Sequence, residues 1–60
     1  MKFEEALDKI KKGYPCEWKQ WTFYWYDGKH MIRASKKGKN VIKVENKSME
    51  GTRGWKEIEK

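Results

Sequence analysis

Basic and aromatic side chains occur together between residues 24 and 43 of this 60-residue chain. Tyr24 and Tyr26 each offer a flat ring on which a nucleobase can stack. Arg33 carries a planar fork of N–H donors that matches a phosphate group, and Lys43 adds a compact positive charge. Together these residue types predict a binding site for an anionic nucleotide or for a nucleic acid.

The net charge of +6 is concentrated in the same part of the chain. Residues 29 to 44 hold six basic and no acidic side chains, whereas the rest of the chain holds nine of each. A local excess of charge beside exposed aromatic rings favours an anionic partner over a general role in solubility. An alternative stays open for three lysines at a predicted loop tip, which also suit solvation of the loop and protection of a sheet edge: Lys36, Lys37 and Lys39.

An amphipathic helix is predicted at the start of the chain. Its first turn is acidic and its last turn is basic, which suits the helix dipole. Gly13 fits the position just beyond the helix, and Pro15 prevents continuation. The apolar residues recur with the i, i+3, i+4, i+7 spacing of one helix face: Phe3, Ala6, Leu7 and Ile10.

Strands with a period of two follow the helix. Residues 21 to 26 and 29 to 34 predict a hairpin closed by a two-residue turn at Asp27-Gly28. A three-residue turn at Lys36-Lys37-Gly38, with its glycine in the left-handed conformation, leads to a further strand. Two more short strands are expected, at residues 16 to 19 and 55 to 58.

These elements predict a single α+β domain over residues 1–60, with the N-terminal amphipathic helix packed on a small antiparallel sheet of about four to five strands. In the predicted register Phe23 shares the helix-facing side with Ile32 and Ile42. A single helix leaves the other face uncovered. That face is predicted to bring together Tyr24, Tyr26, Lys29, Met31, Arg33, Val41 and Lys43.

Residues for catalysis or metal binding are sparse. Cys16 is the only cysteine, and His30 is the only histidine and is expected at the edge of the core. A metal site is not expected without a second cysteine or a histidine cluster. Trp18, Trp21 and Trp55 are expected to fill the core of a chain that has few aliphatic residues. We therefore expect a binding protein and not an enzyme, with no cofactor.

The sequence also bears on the compartment. No apolar run approaches the roughly 20 residues that a membrane-spanning helix needs, and the N-terminus lacks the pattern of a secretory signal. The lone cysteine suits a reducing environment. We expect a cytoplasmic protein that does not bind a membrane.

Both ends of the chain carry a pattern that is similar to a phage protein family. The N-terminal part reads Phe3-Glu4-Glu5-Ala6-Leu7, followed by Lys11-Lys12-Gly13 and then by Trp21. The C-terminal part reads Gly54-Trp55-Lys56-Glu57-Ile58. With the aromatic strand between them, these motifs resemble the second Thoeris anti-defence family, a group of small phage "sponge" proteins.

The resemblance implies a homo-oligomer in which each protomer packs a helix on an antiparallel sheet. It also implies that cyclic nucleotide immune signals bind in pockets between protomers and are sequestered without cleavage. We therefore expect a protein that captures an anionic nucleotide signal in the host-cell cytoplasm. Its expected contacts are Arg33 and Lys43 for phosphates, Lys29 or Arg53 as additions, and Tyr24, Tyr26 or one of the less buried tryptophans for the base.

Two other functions stay open at this point. The same face suits a small nucleic-acid-binding domain, whose affinity would fall steeply with salt because phosphate contacts release counterions. The basic side chains also suit docking on an acidic host protein, as in a protein–protein inhibitor of a defence factor.

Overall fold

The computed structural model describes residues 1–58. One helix, α1 (Phe3–Lys11), packs on a five-stranded antiparallel sheet, which confirms the predicted α+β class. A short 3₁₀ helix covers Asn46–Met49. No helix in the described part of the chain is long and apolar enough to cross a membrane. The strands, in the spatial order β4-β3-β2-β1-β5, are β1 (Cys16–Trp18), β2 (Trp21–Trp25), β3 (His30–Ser35), β4 (Ile42–Glu45) and β5 (Lys56–Glu57).

Helix α1 buries the apolar stripe that the sequence predicts, with Phe3 and Ile10 almost fully buried. At its C-terminal end Gly13 has a φ of +94°, and its N–H donates to the carbonyl of Ile10 at 3.0 Å. The N–H of Tyr14 donates to the carbonyl of Lys9 at 3.0 Å. This pair of bonds closes the helix in a left-handed turn, which glycine adopts readily because it has no Cβ.

The two ends of the chain are tied together beside the start of α1. Lys2 gives the helix no side-chain cap, and the N–H of Phe3 donates instead to the carbonyl of Thr52 at 3.2 Å. The N–H of Trp55 donates to the carbonyl of Met1 at 3.1 Å, and the Met1 ammonium donates to the carbonyl of Trp55 at 2.9 Å. The C-terminal segment therefore satisfies backbone groups that a helix start leaves unpaired.

Trp55 joins the main parts of the core and is only 1% exposed. Its ring centre lies 4.8 Å from that of Phe23, 5.6 Å from that of Phe3 and 5.9 Å from that of Trp18. Its indole N–H donates to the Thr52 hydroxyl at 2.7 Å, so the polar atom of the buried ring is paired. One aromatic residue thus connects the helix, two strands and the C-terminal segment.

Strand β3 is turned over relative to the predicted register. The ladder pairs Phe23 with Arg33 and not with Ile32, and it pairs Arg33 with Ile42. Because side chains alternate along a strand, this offset of one residue moves Met31 and Arg33 to the helix side and Ile32 to the opposite side. The predicted faces of β3 are therefore wrong, whereas β2 and β4 present the faces that were expected.

The first hairpin loop is longer than the predicted two-residue turn, and Asp27 stabilises it. Its Oδ1 accepts the N–H groups of Lys29 and His30, both at 2.8 Å. Its own N–H donates to the carbonyl of His30 at 3.2 Å. An aspartate that bonds the backbone two and three residues ahead replaces the predicted two-residue turn, and Met31 becomes fully buried as a result.

A side chain also braces the second hairpin loop. The Ser35 hydroxyl accepts the N–H of Lys39 at 3.0 Å. Gly38 is left-handed with a φ of +79°, as predicted, and Asn40 is left-handed as well, with a φ of 57°. The second left-handed residue lets this loop run beyond the predicted three residues, which matches the register between β3 and β4.

Candidate functional site

We call the face of the sheet opposite α1 the open face. Tyr24 is paired with Ile32 and Ile32 with Lys43, so these three side chains form one row across it. Tyr26 follows β2, and its ring meets His30 edge-on with 6.5 Å between the ring centres. These five residues form the candidate site.

Tyr24 and Tyr26 keep much of their surface in solvent, at 42% and 54% exposure. The Lys43 ammonium lies 5.4 Å from the centre of the Tyr26 ring. A cation beside an exposed aromatic ring can bind both ends of a nucleotide, because the ring stacks on the base while the ammonium binds the phosphate. The structure thus brings Tyr24, Tyr26 and Lys43 together as the sequence predicts.

The loop at Asp27 positions His30 within the candidate site. The Nδ1 atom of His30 lies 3.0 Å from Oδ1 of Asp27. The N–H donated by Lys29 lowers the pKa of Asp27, and hydrogen bonds from His30 add to the effect. The expectation that His30 lies at the core edge is wrong, because it is paired with Glu45 and contacts the Tyr26 ring.

Lys29 lies at the end of the sheet, in an open cleft of about 380 Å³. Within this cleft the Asn46 amide donates to the carbonyl of Gly28 at 3.4 Å, and its backbone N–H donates to the carbonyl of Lys29 at 2.8 Å. The Asn46 Oδ1 is buried and has no hydrogen-bond partner within residues 1–58. The cleft borders the open face through His30, and its full lining is Gly28, Lys29, His30, Glu45, Asn46 and Lys47.

Arg33 does not lie beside Tyr24 and Tyr26, so its predicted placement is wrong. The shifted register of β3 puts Arg33 on the helix side of the sheet, where its guanidinium carbon lies 4.1 Å from the centre of the Trp21 ring. The two tyrosines point to the opposite face. Within one protomer, a single small ligand therefore does not contact both Arg33 and the tyrosines.

Arg53 lies in a third place. It forms a backbone bridge with Lys2, and its carbonyl accepts the indole N–H of Trp18 at 2.8 Å. Together with Lys19 and Lys56 it lines a groove of about 250 Å³. Of the predicted site residues, the open face gathers Tyr24, Tyr26 and Lys43, while Lys29, Arg33 and Arg53 lie elsewhere.

The lysines of the second hairpin loop point into solvent. Lys36 pairs with Glu17 at 3.4 Å, and exposed pairs of this kind contribute about 0–1 kcal/mol. Lys37 and Lys39 are exposed. The positive charge of residues 29 to 44 is therefore spread over both faces and both ends of the sheet.

Cations also lie over tryptophan rings, which the sequence did not lead us to predict. The Lys19 ammonium lies 4.8 Å from the Trp18 ring, and the Lys11 ammonium lies 6.0 Å from the Trp25 ring. Lys19 directly follows Trp18 in a tight turn, so their adjacency in the sequence could have indicated this contact. Lys11 and Trp25 meet only because α1 packs across β2, so no local pattern indicates their contact.

Cys16 is buried, with its Sγ 3.7 Å from the carbonyl of Ala6. Burial raises the pKa of the Cys16 thiol, and a protonated buried thiol is a poor nucleophile and metal ligand. Within residues 1–58, no three His, Cys, Asp or Glu side chains are grouped as metal ligands would be.

Comparisons of the chain with protein-family models, with curated proteins and with solved structures find no match. The support for a function therefore comes from the residues of the open face and their surroundings.

Proposed function

We propose that this protein binds an anionic nucleotide signal on its open face and sequesters it without cleavage. The observation that supports this best is the contact between Lys43 and Tyr26, with the ammonium 5.4 Å from the ring centre and Tyr24 in the same row as Lys43. Both tyrosines are exposed, so the core does not depend on their rings. A surface that offers stacking and positive charge at one point suits a base and its phosphate.

The parts of the site have separate roles. A base stacks on Tyr24 or Tyr26, and such stacking contributes about 1–3 kcal/mol per base. Lys43 binds a phosphate oxygen through a charge-assisted hydrogen bond. Ile32, between Tyr24 and Lys43 in the same row, provides the apolar floor. Binding in this way needs no acid, base or metal.

Self-association through β4 belongs to the proposal, because a small domain encloses a ligand best with a second protomer. Strand β4 is at the edge of the described sheet; Val41, just before it, is 57% exposed, and its first residue, Ile42, is 44% exposed. Antiparallel pairing of two β4 strands about Val44 puts Lys43 opposite Glu45 of the second copy. A register with Lys43 opposite itself would place like charges together. The favoured register joins two open faces into one surface.

Native mass spectrometry tests capture directly. The protein is incubated with a panel of cyclic nucleotides and cyclic ADP-ribose isomers, and the spectra report ligand mass and stoichiometry together. We expect one member of the panel to be retained with unchanged mass on an oligomer. Tyr24→Ala should lose the ligand, and Lys12→Glu, at the exposed C-terminal cap of α1, should retain it. A strict monomer that retains no nucleotide would overturn the proposal.

Sedimentation velocity tests the β4 contact separately from ligand binding. Lys43→Glu places acidic side chains opposite each other and should shift the protein to monomer. The double variant Lys43→Glu/Glu45→Lys reverses both charges and should restore the oligomer. If the single and double variants sediment alike, the β4 register is wrong.

A second candidate function is binding of single-stranded nucleic acid, which is favoured by the position of Tyr24 and Tyr26 two residues apart on an uncovered sheet face. Filter binding to single-stranded DNA and RNA at two salt concentrations distinguishes the candidates. The affinity for single-stranded DNA or RNA should fall steeply as the salt concentration rises, whereas the affinity for an enclosed nucleotide should fall much less.

A further inference from the structure

Arg33 is a cation without an anionic partner in the described chain. The ion pairs within residues 1–58 involve other cations, namely Lys9, Lys12, His30 and Lys36. The Arg33 side chain forms no hydrogen bond there, and its Nε is buried without an acceptor. A buried donor without an acceptor is unfavourable, so packing and not hydrogen bonding holds this guanidinium in place.

Trp21 is the residue that holds it. The guanidinium carbon lies over the Trp21 ring, 4.1 Å from its centre, which is well within the range of a cation–π contact. The contact engages the guanidinium through its central carbon, and the N–H groups at its far end have no hydrogen-bond partner within residues 1–58. Those terminal groups form the fork that binds two oxygens of one oxyanion at once.

The surroundings of Arg33 favour an anion. Trp21 pairs with Ser35 at the end of the β2–β3 ladder, and the two loops at this end carry Lys19, Lys37 and Lys39, while Lys36 is paired with Glu17 of β1. Ile42, directly opposite Arg33, is 44% exposed. A fixed guanidinium next to apolar surface in a positive field interacts with an oxyanion more strongly than a mobile lysine in water does.

We infer that Arg33, held by Trp21, forms a second oxyanion site for a phosphate group, on the helix side of the sheet and separate from the open face. The phosphate binds in a bidentate manner to the terminal Arg33 nitrogens, and the loop lysines raise its local concentration. This site uses no residue of the open face and goes beyond the proposed function.

The nitrogen-15 spectrum of the arginine side chains tests this site, because the chain has only two arginines, Arg33 and Arg53. The protein is titrated with inorganic phosphate and with pyrophosphate at constant ionic strength. We expect the Nε–Hε signal of Arg33 to shift and saturate, and the Arg53 signal to shift little. Arg33→Lys should weaken the phosphate affinity about tenfold, because lysine has no bidentate fork, and Arg53→Lys should leave it unchanged.

Two results would overturn the inference. One is an Arg33 signal that moves no more than that of Arg53, and the other is a shift that follows chloride as well as phosphate. Lys43→Glu provides the link to the proposed function, because it should abolish nucleotide capture and leave the Arg33 titration unaltered. The two sites can therefore fail independently.

Discussion

Met31 lies directly opposite Val44 in the ladder between β3 and β4, and its side chain is fully buried. The next residue, Ile32, points to the open face and is only half-buried. The strand thus buries the methionine and leaves the isoleucine at the surface, because the two flanking loops set the register.

Alanine substitutions at Met31 and at Ile32 should distinguish the observed register of β3, with Met31 facing the helix, from the register predicted from the sequence, with Ile32 facing it. Met31→Ala should lower the free energy of unfolding by about 2–5 kcal/mol, as expected for a fully buried side chain. Ile32→Ala should cost clearly less, because part of its side chain is already in water. Urea denaturation of both variants provides the measurement. A larger loss for Ile32→Ala would show that β3 has the opposite face inward.

The charge of Asp27 should make the stability of the fold sensitive to acid. The N–H of Lys29 donates to the carboxylate, so the folded-state pKa of Asp27 lies below its ordinary value of 3.8. A lowered pKa contributes stability that is present above the ordinary value and is lost as pH falls through the folded-state value. We therefore expect the melting temperature of the wild type to decrease as the pH is lowered from 3.8 through the folded-state pKa of Asp27.

Asp27→Asn isolates that effect, because it keeps the side-chain oxygen and removes the charge. Its melting temperature should depend less on pH below about 4 than that of the wild type. Asp8→Asn is the matched control, since Asp8 only pairs with Lys12 at 3.1 Å on the surface of α1. Identical acid profiles for Asp27→Asn and the wild type would mean that this carboxylate does not stabilise the loop through its charge.

Gly13 should tolerate a side chain poorly although there is room for one. A Cβ at this position would meet no atom within 4 Å, but the φ of +94° is one that other residues rarely adopt. Gly13→Ala should therefore cost roughly 1–2 kcal/mol through the backbone alone. Gly28 also has open space and lies outside the left-handed region, so Gly28→Ala should be nearly neutral. Thermal or urea unfolding compares the pair.

The sequence predicts α1 and the two hairpins because the period of the apolar residues and the positions of Gly13 and Gly38 are local signals. It predicts that Tyr24, Tyr26 and Lys43 lie close together because Tyr24 is on β2, Tyr26 directly follows it and Lys43 is on β4, and the faces of both strands follow the apolar pattern. It fails for Arg33 because residues 30 to 35 suit either face, and the bonds of Asp27 decide between them. The contact of Arg33 with Trp21 depends on that register and has no sequence signal of its own.

Chemical-shift mapping of the folded protein shows directly whether a nucleotide binds on the open face. Backbone amide spectra are recorded during titration with each cyclic nucleotide and cyclic ADP-ribose isomer of the panel, for the wild type and for Tyr24→Ala. We expect saturable shifts for one ligand, largest at Tyr24, Tyr26, Ile32 and Lys43, and we expect the variant to lose them. The absence of saturable shifts with every member of the panel, or shifts confined to the helix side around Trp21, would contradict it.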